Sequence, residues 1–338
     1  MKQLSFDIDG INDTILTDRQ TDRPQTLAEK VEQAKRALIL AADMSQAYYH
    51  APLILTYSGG KDSDVMLHLA ESCLSPDDFE VLNSHTSVDA PETVYHIREV
   101  FKRLNAKGIK TTINYPKDKD GNHETMWTLI PKKKMPPTRL QRYCCSVLKE
   151  TSTPNRLAAL GVREAESAGR QGRDIFGTRG GTLAVAIFFS LDHAEEVYQE
   201  AQELNDPVWD CTLIKTMREH KDTIVNPIYE WTDADVWEYL RQENVKTNPL
   251  YERGYHRVGC IGCPLATYKQ KIKEFSDYPQ YKKAYINAFQ KMCDIREAEG
   301  KEQRGSWADG ESVFYWWIEE NKYNVKGQLS LFDDKPQA

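Results

Sequence analysis

No apolar run in this 338-residue chain reaches the roughly 18 residues that a membrane-spanning helix needs. The longest, 183–189, is only of strand or buried-helix length. The opening residues, Met1-Lys2-Gln3-Leu4-Ser5-Phe6-Asp7, lack the apolar stretch of a secretory signal. An even cysteine framework is also missing. Seven cysteines, an odd number without a secretion signal, point to reduced thiols in the cytoplasm and make metal binding the question to ask of them. Basic excess is absent too. At a net charge of −7, any nucleic-acid contact must use a local patch. What remains is ample apolar material, 40% of the residues, over a length that suits one large α/β domain with additions, or two domains.

The chain shows no internal repeat. Residues 1–25 read as a polar arm, and 26–47 as a helix with Leu27, Val31, Ala34, Leu38 and Ala41 along one stripe. Candidate strands follow at 53–57, 79–84, 109–115, 157–162 and 223–228, with helices between the first three. That alternation predicts a doubly wound, mainly parallel α/β sheet that takes ligands at the carboxyl ends of its strands. The expected plan is an arm and helix over 1–47, an α/β domain over 48–247 and a cysteine-bearing helical and loop region over 248–320. A flexible tail follows at 321–338, and about 171–221 reads as an insertion near the site.

The most informative hexapeptide is Ser58-Gly59-Gly60-Lys61-Asp62-Ser63, set between the apolar run 53–57 and a helix-like run from Val65 to Ala70. A strand, a glycine turn and a helix start form an anion cradle, because backbone N–H groups and the helix terminus both present positive potential. Lys61 can neutralise a phosphate, and Ser58 and Ser63 can donate hydrogen bonds. The spacing is not the Walker pattern. It resembles the SGGxDS loop of the ATP pyrophosphatases, the PP-loop family, which cut ATP into AMP and pyrophosphate.

Other strand ends add to this. After the second comes Val88-Asp89-Ala90-Pro91-Glu92-Thr93, which by itself is a helix start and resembles the V-D-x-P-E-T segment of the phosphoadenosine phosphosulfate (PAPS) reductase family. Asp89 and Glu92 would then flank the phosphate loop. The fourth strand runs into Arg163, Glu166, Ser167 and Arg170, and guanidinium forks suit a polyphosphate. This stretch resembles the family's G-x-R-x-x-E-S-x-x-R segment. The helix from Thr232, with Val236, Trp237 and Leu240, and the run Asn248-Pro249-Leu250-Tyr251 complete a family order of motifs from about Leu53 to Pro264. The resemblance implies an adenine nucleotide alpha hydrolase-like fold.

Four cysteines fall in two pairs: Cys144-Cys145 and the CxxC of Cys260 and Cys263. Two pairs of thiolates suit a four-iron four-sulfur (4Fe-4S) cluster or a tetrahedral zinc, and spacing does not separate them. The pattern resembles the cluster ligands of adenylylsulfate reductases and of the DNA phosphorothioation ATP pyrophosphatase, which implies the cluster. Cys73, Cys211 and Cys293 read as buried small hydrophobes.

The chain departs from sulfonucleotide reductases in having an intact phosphate loop and no E-C-G-L-H segment after Cys263. The resemblance therefore implies an enzyme that binds ATP through Ser58, Gly59, Gly60, Lys61, Asp62, Ser63, Asp89, Glu92, Arg163, Ser167 and Arg170. Magnesium would contact Asp62 and Asp89, and Lys61, Asp62, Arg163 and Arg170 would carry the catalysis. The acceptor would be adenylated for sulfur transfer. A sulfonucleotide reductase releasing sulfite and a non-catalytic regulatory module are the alternatives. The acid-free basic run 132–142 could guide DNA or tRNA, with a sulfur donor such as a cysteine desulfurase as partner. The tail Gln328-Leu329-Ser330-Leu331-Phe332 resembles a sliding-clamp docking peptide. No membrane contact is expected.

Overall fold

The computed structural model describes residues 25–150, 152–166, 170–178, 187–204, 212–301 and 307–319. Ser167, Cys211 and the Gln328, Leu329, Ser330, Leu331 and Phe332 peptide lie outside them. Helix α1, Leu27–Met44, starts where a capping box can form: the Thr26 hydroxyl accepts the Glu29 N–H, and Glu29 reaches back. A π turn, Ser45–Tyr49, then leads into the sheet.

Among the described residues, seven strands form one sheet: β1 Leu53–Thr56, β2 Phe79–Ser84, β3 Thr111–Asn114, β4 Leu157–Ala159, β5 Phe176–Thr178, β6 Phe188–Phe189 and β7 Thr223–Val225. Their spatial order is β3-β2-β1-β4-β7-β5-β6. The first five in that order are parallel, and β5 and β6 add antiparallel at one end. Helix α2, Lys61–Cys73, connects β1 to β2, and α3, Pro91–Ala106, connects β2 to β3. The proline in the first turn of α3 costs nothing there, since that N–H has no helical partner. The fold is thus a doubly wound α/β fold. Its chain order reverses between β1 and β4, which opens a crevice at their carboxyl ends.

Strands β4 and β7 are shorter than expected, each leaving its terminal residues as loop at the ligand edge. The stretch 171–221 contributes β5, β6, α6 (Leu191–Leu204) and α7 (Thr212–Arg218), so much of it extends the sheet.

Two apolar clusters hold the molecule. One lies under the sheet and is rich in aliphatic residues such as Leu38, Leu53, Leu55, Val65 and Val225. The other is strongly aromatic. It is built from α4 (Met126–Lys133), α5 (Tyr143–Leu148), α9 (Tyr268–Asp277), α10 (Pro279–Ala298) and α11 (Gly310–Glu319). Helix α8, Asp233–Gln242, with Val236 and Leu240 buried and Trp237 half-buried, closes the first cluster. No helix among the described residues is long and apolar enough to cross a membrane.

Candidate functional site: a phosphate loop beside a cysteine centre

The loop between β1 and α2 is held from below. Gly59 has a φ of +71°, and a Cβ there would lie 2.9 Å from Ile97 Cγ1, so only glycine fits without strain. The Gly60 N–H donates to Ser63 Oγ at 3.1 Å, and Ser63 Oγ donates back to the Gly60 carbonyl at 2.8 Å. Ser58 Oγ lies 3.3 Å from Ser63 Oγ. Asn248, fully buried, donates to the Gly59 carbonyl at 3.0 Å and to Thr93 Oγ1 at 3.1 Å. Tyr251 accepts the Lys61 N–H at 2.9 Å. A buried triad braces the first turn of α2. Tyr57 Oη donates to Asp64 Oδ1 at 2.5 Å, with His96 Nε2 3.0 Å from Tyr57 Oη, and burial pushes the Asp64 carboxyl up.

The charged side chains meet across the crevice. Arg163, just beyond β4, is 2% exposed. Its Nε donates to Asp62 Oδ1 at 2.6 Å, its Nη1 to the Trp231 carbonyl at 3.2 Å and its Nη2 to Asp233 Oδ1 at 2.6 Å. Lys61 Nζ lies 3.1 Å from Asp62 Oδ2 and 3.2 Å from Asp233 Oδ1. Partial burial pushes the Asp233 carboxyl up, but Lys61 and Arg163 outweigh it and hold the group below its usual range. Arg170 pairs with Glu166, while burial, with Arg173 and Arg257 nearby, lowers its guanidinium.

Four thiols gather on the neighbouring side. Helix α5 carries Cys144 and Cys145, and a turn carries Cys260 and Cys263; all four are free. The Cys144 thiol stabilises the Cys145 thiolate, with help from Arg142, whose Nη2 lies 3.4 Å from Cys145 Sγ. Lys149 faces Cys260, Asp89, Cys145 and Cys263, and the negative charge these groups can carry raises its ammonium pKa, while burial pushes the Cys260 thiol up to about 11. The CxxC turn is clamped from behind: buried Glu274 accepts the Gly262 N–H at 2.8 Å. Among the described residues, no three His, Cys, Asp or Glu side chains are grouped so as to hold a single metal ion.

Asp89 and Glu92 find their partners in this second region. Asp89 forms a bridge with Cys260, its Oδ2 accepts the Thr86 N–H at 3.1 Å and its carbonyl accepts Tyr281 Oη at 2.8 Å. Glu92 pairs with Arg253 and accepts Tyr278 Oη at 2.8 Å. The basic run is partly neutralised by acids outside it, Lys132 by nearby Glu124 and Lys134 by distant Glu299. Cys293 is buried in α10 as expected, whereas Cys73 is only half-buried.

Sequence reasoning gave no site role to Asp233, Asn248, Tyr251 or Lys149. Asp233 looks like an ordinary acidic helix start. Asn248 and Tyr251 lie nearly 190 residues from the loop they pin, and only their place in an ordered set of motifs marked them.

Residues 52–266 match the phosphoadenosine phosphosulfate reductase domain, well over half of the chain. The chain belongs to the PAPS reductase family. An uncharacterised protein of Methanocaldococcus jannaschii is 23% identical over 266 residues, 76% of this chain and 45% of that protein. An adenosine 5'-phosphosulfate reductase of Anoxybacillus flavithermus is 22% identical over 238 residues, 68% of this chain and 80% of that enzyme. The chain spans about half the length of the first two curated relatives it matches, 45% and 50%. A tRNA thiolase of Methanococcus maripaludis, solved with its 4Fe-4S cluster, aligns over 90% of this chain and 86% of its own at 15% identity and a TM-score of 0.38. In this PAPS reductase family member, the matched region takes in both the phosphate loop and the CxxC turn.

Proposed function

We propose that this protein is an ATP pyrophosphatase that adenylates an acceptor and prepares it for sulfur transfer. The observation that carries the reading is the pair of cations at the helix terminus: Lys61 and buried Arg163 converge on one oxygen position beside the Ser58–Ser63 turn. Such a pair suits the charge that develops on a departing pyrophosphate, and its fixed geometry needs no reorganisation during the reaction. Ser58, Gly59, Gly60, Lys61 and Ser63 would hold the β and γ phosphates, and Arg170 would add charge at the rim. An acceptor oxygen attacks the α-phosphorus, the α–β bridging bond breaks and pyrophosphate leaves with its electron pair. Sulfur then displaces AMP from the adenylated acceptor. Magnesium bound with the nucleotide would neutralise phosphate charge, and Asp62 is the protein carboxylate we assign to it.

The cysteine centre supports a 4Fe-4S cluster. Cys144, Cys145, Cys260 and Cys263 are free thiols, and Arg142 and Lys149 offset thiolate charge. Two thiol pairs suit a tetrahedral zinc as well, and what favours the cluster is the resemblance of the cysteine pattern to known cluster ligands. A bound cluster would supply a site for sulfur or electrons; the residues around it hold its ligands and keep its rear face dry. DNA or tRNA guided by Lys133, Arg139 and Arg142 is the acceptor class we favour, with a sulfur-donor protein and a sliding clamp as partners.

A sulfonucleotide reductase would need a mobile cysteine nucleophile after the CxxC turn. Cys293 is the one cysteine there, and it is buried in the aromatic core. The test is to incubate anaerobically purified protein with ATP, magnesium and either DNA or tRNA, and to measure AMP and pyrophosphate. Absence of both under every condition would sink the reading. Sulfite release from a sulfonucleotide, lost in Cys293→Ser, would establish the reductase instead.

A further inference from the structure

The cationic face of the phosphate loop is already filled by the protein's own oxygen atoms. Asp233 Oδ1 lies 3.2 Å from Lys61 Nζ and 2.6 Å from Arg163 Nη2, so a single carboxylate oxygen bridges both cations as a phosphate oxygen would. Asp62 accepts from both cations as well, and the Trp231 carbonyl accepts from Arg163 Nη1. Two cations thus face two carboxylates, and the quartet carries no net charge. A free polyphosphate arriving here must displace a carboxylate and then lie beside it, a like-charge juxtaposition.

The two carboxylates are not equivalent. Asp62 is 19% exposed at its side chain and sits inside the first turn of α2, whereas Asp233 is 72% exposed at the first position of α8. The Thr232–Asp235 capping box fixes the backbone of that turn without using the Asp233 side chain. Without Asp233, Arg163 is still anchored by the Asp62 carboxylate and the Trp231 carbonyl, and Lys61 by Asp62. The cations therefore stay where they are, and the Asp233 side chain can turn out to solvent by rotation about its own bonds.

We infer that Asp233 is a specificity-determining residue: it holds the place of a ligand oxygen, so the loop admits a polyphosphate complexed with a divalent cation and disfavours the free anion. A cation arriving with the polyphosphate gives the released carboxylate a partner; a bare polyphosphate gives it none. This rests on the loop being a polyphosphate site, and the experiment separates the two claims.

Pyrophosphate is titrated calorimetrically into the full chain at low ionic strength, with and without magnesium, for wild type, Asp233→Asn and Glu238→Gln. The last removes an exposed charge from the same helix, away from the network. Asp233→Asn should bind magnesium-free pyrophosphate about ten-fold more tightly than wild type, the scale of a partly exposed competing charge. With magnesium the two should converge, so the magnesium dependence of the affinity shrinks in Asp233→Asn and stays in Glu238→Gln. Wild-type binding with an unchanged magnesium dependence in Asp233→Asn overturns the role of Asp233. Equal shifts in both variants reduce it to general electrostatics, and overturn it too. No binding by any protein under any condition overturns the polyphosphate site and this inference together. Should Asp233→Asn melt early, Asp233→Ser, also compatible with a helix start, takes its place with the same expected result.

Discussion

The phosphate loop and the cysteine turn are both short glycine-bearing turns, yet they are held in opposite ways. Around the phosphate loop, polar groups do the holding: Asn248, Tyr251 and the Tyr57–Asp64–His96 triad beneath, Arg163 and Asp233 across the crevice. Around the CxxC turn the holding is mostly aromatic. A Cβ on Gly262 would lie 2.7 Å from Trp317 Cη2 and 2.8 Å from Phe275 Cζ, and Tyr285 Oη donates to the Ile261 carbonyl at 2.9 Å. The difference follows from what each turn must face. A ligand-binding edge needs charges whose partners can be exchanged. A thiol centre needs a dry rear wall and ligands that do not drift.

Breaking the aromatic side should have the largest effect. Gly262→Ala adds a methyl against two rings at a φ of +70°, and should cost roughly 3 kcal/mol of stability. Tryptophan fluorescence in a urea titration, reporting on Trp307 and Trp317 in that core, would show the loss; an unchanged midpoint would mean the turn can move. On the polar side, Arg163→Lys keeps the charge but loses the planar fork that reaches Asp62, Trp231 and Asp233. Pyrophosphate release from ATP should fall about a hundred-fold, and the melting temperature should fall too, because buried and part-buried acceptors lose their donor. Asn248→Ala leaves the Gly59 carbonyl and Thr93 without their buried donor, at a cost of about 2 kcal/mol, read by thermal melting together with weakened pyrophosphate binding.

The smallest effect sharpens the electrostatic half of the comparison. Burial pushes the Glu71 carboxyl up, but Arg103 and Lys107 outweigh it and hold it below its usual range. A depressed carboxyl stabilises the fold above the ordinary carboxylate pKa, and that contribution disappears as the pH falls through the folded-state value. Glu71→Gln should therefore lose about 0.5 kcal/mol near neutral pH and nothing in strong acid, as denaturant midpoints across an acid series would show.

Much of the geometry of the glycine loop was legible because it is local. Strand, glycine turn and helix are contiguous over 53–73, so apolar patterning and one hexapeptide placed the loop, and the strand 79–84 was read to the residue. The two thiol pairs were legible by type, but not what surrounds them. Asp89 and Glu92 were expected beside the phosphate loop; what was not legible is their partners, Cys260 through a backbone bridge and Arg253 through an ion pair, each over 150 residues away in the chain. The 171–221 stretch hid its strands because β5 and β6 have only three and two residues, too short to show a period.

What the sequence determined by itself is the chemistry available and its order along the chain: a glycine turn between strand and helix, two arginines beyond the fourth strand and four paired thiols. These are encoded in contiguous residues, where backbone geometry and side-chain type act over one turn. Tertiary structure alone decided which charges neutralise which. Lys61, Asp62, Arg163 and Asp233 come from three separate segments, and the electrostatic balance of the site exists only once β1 and β4 pair and α8 docks beside them. Coulomb energy depends on distance in space, and distance along the chain carries almost none of it.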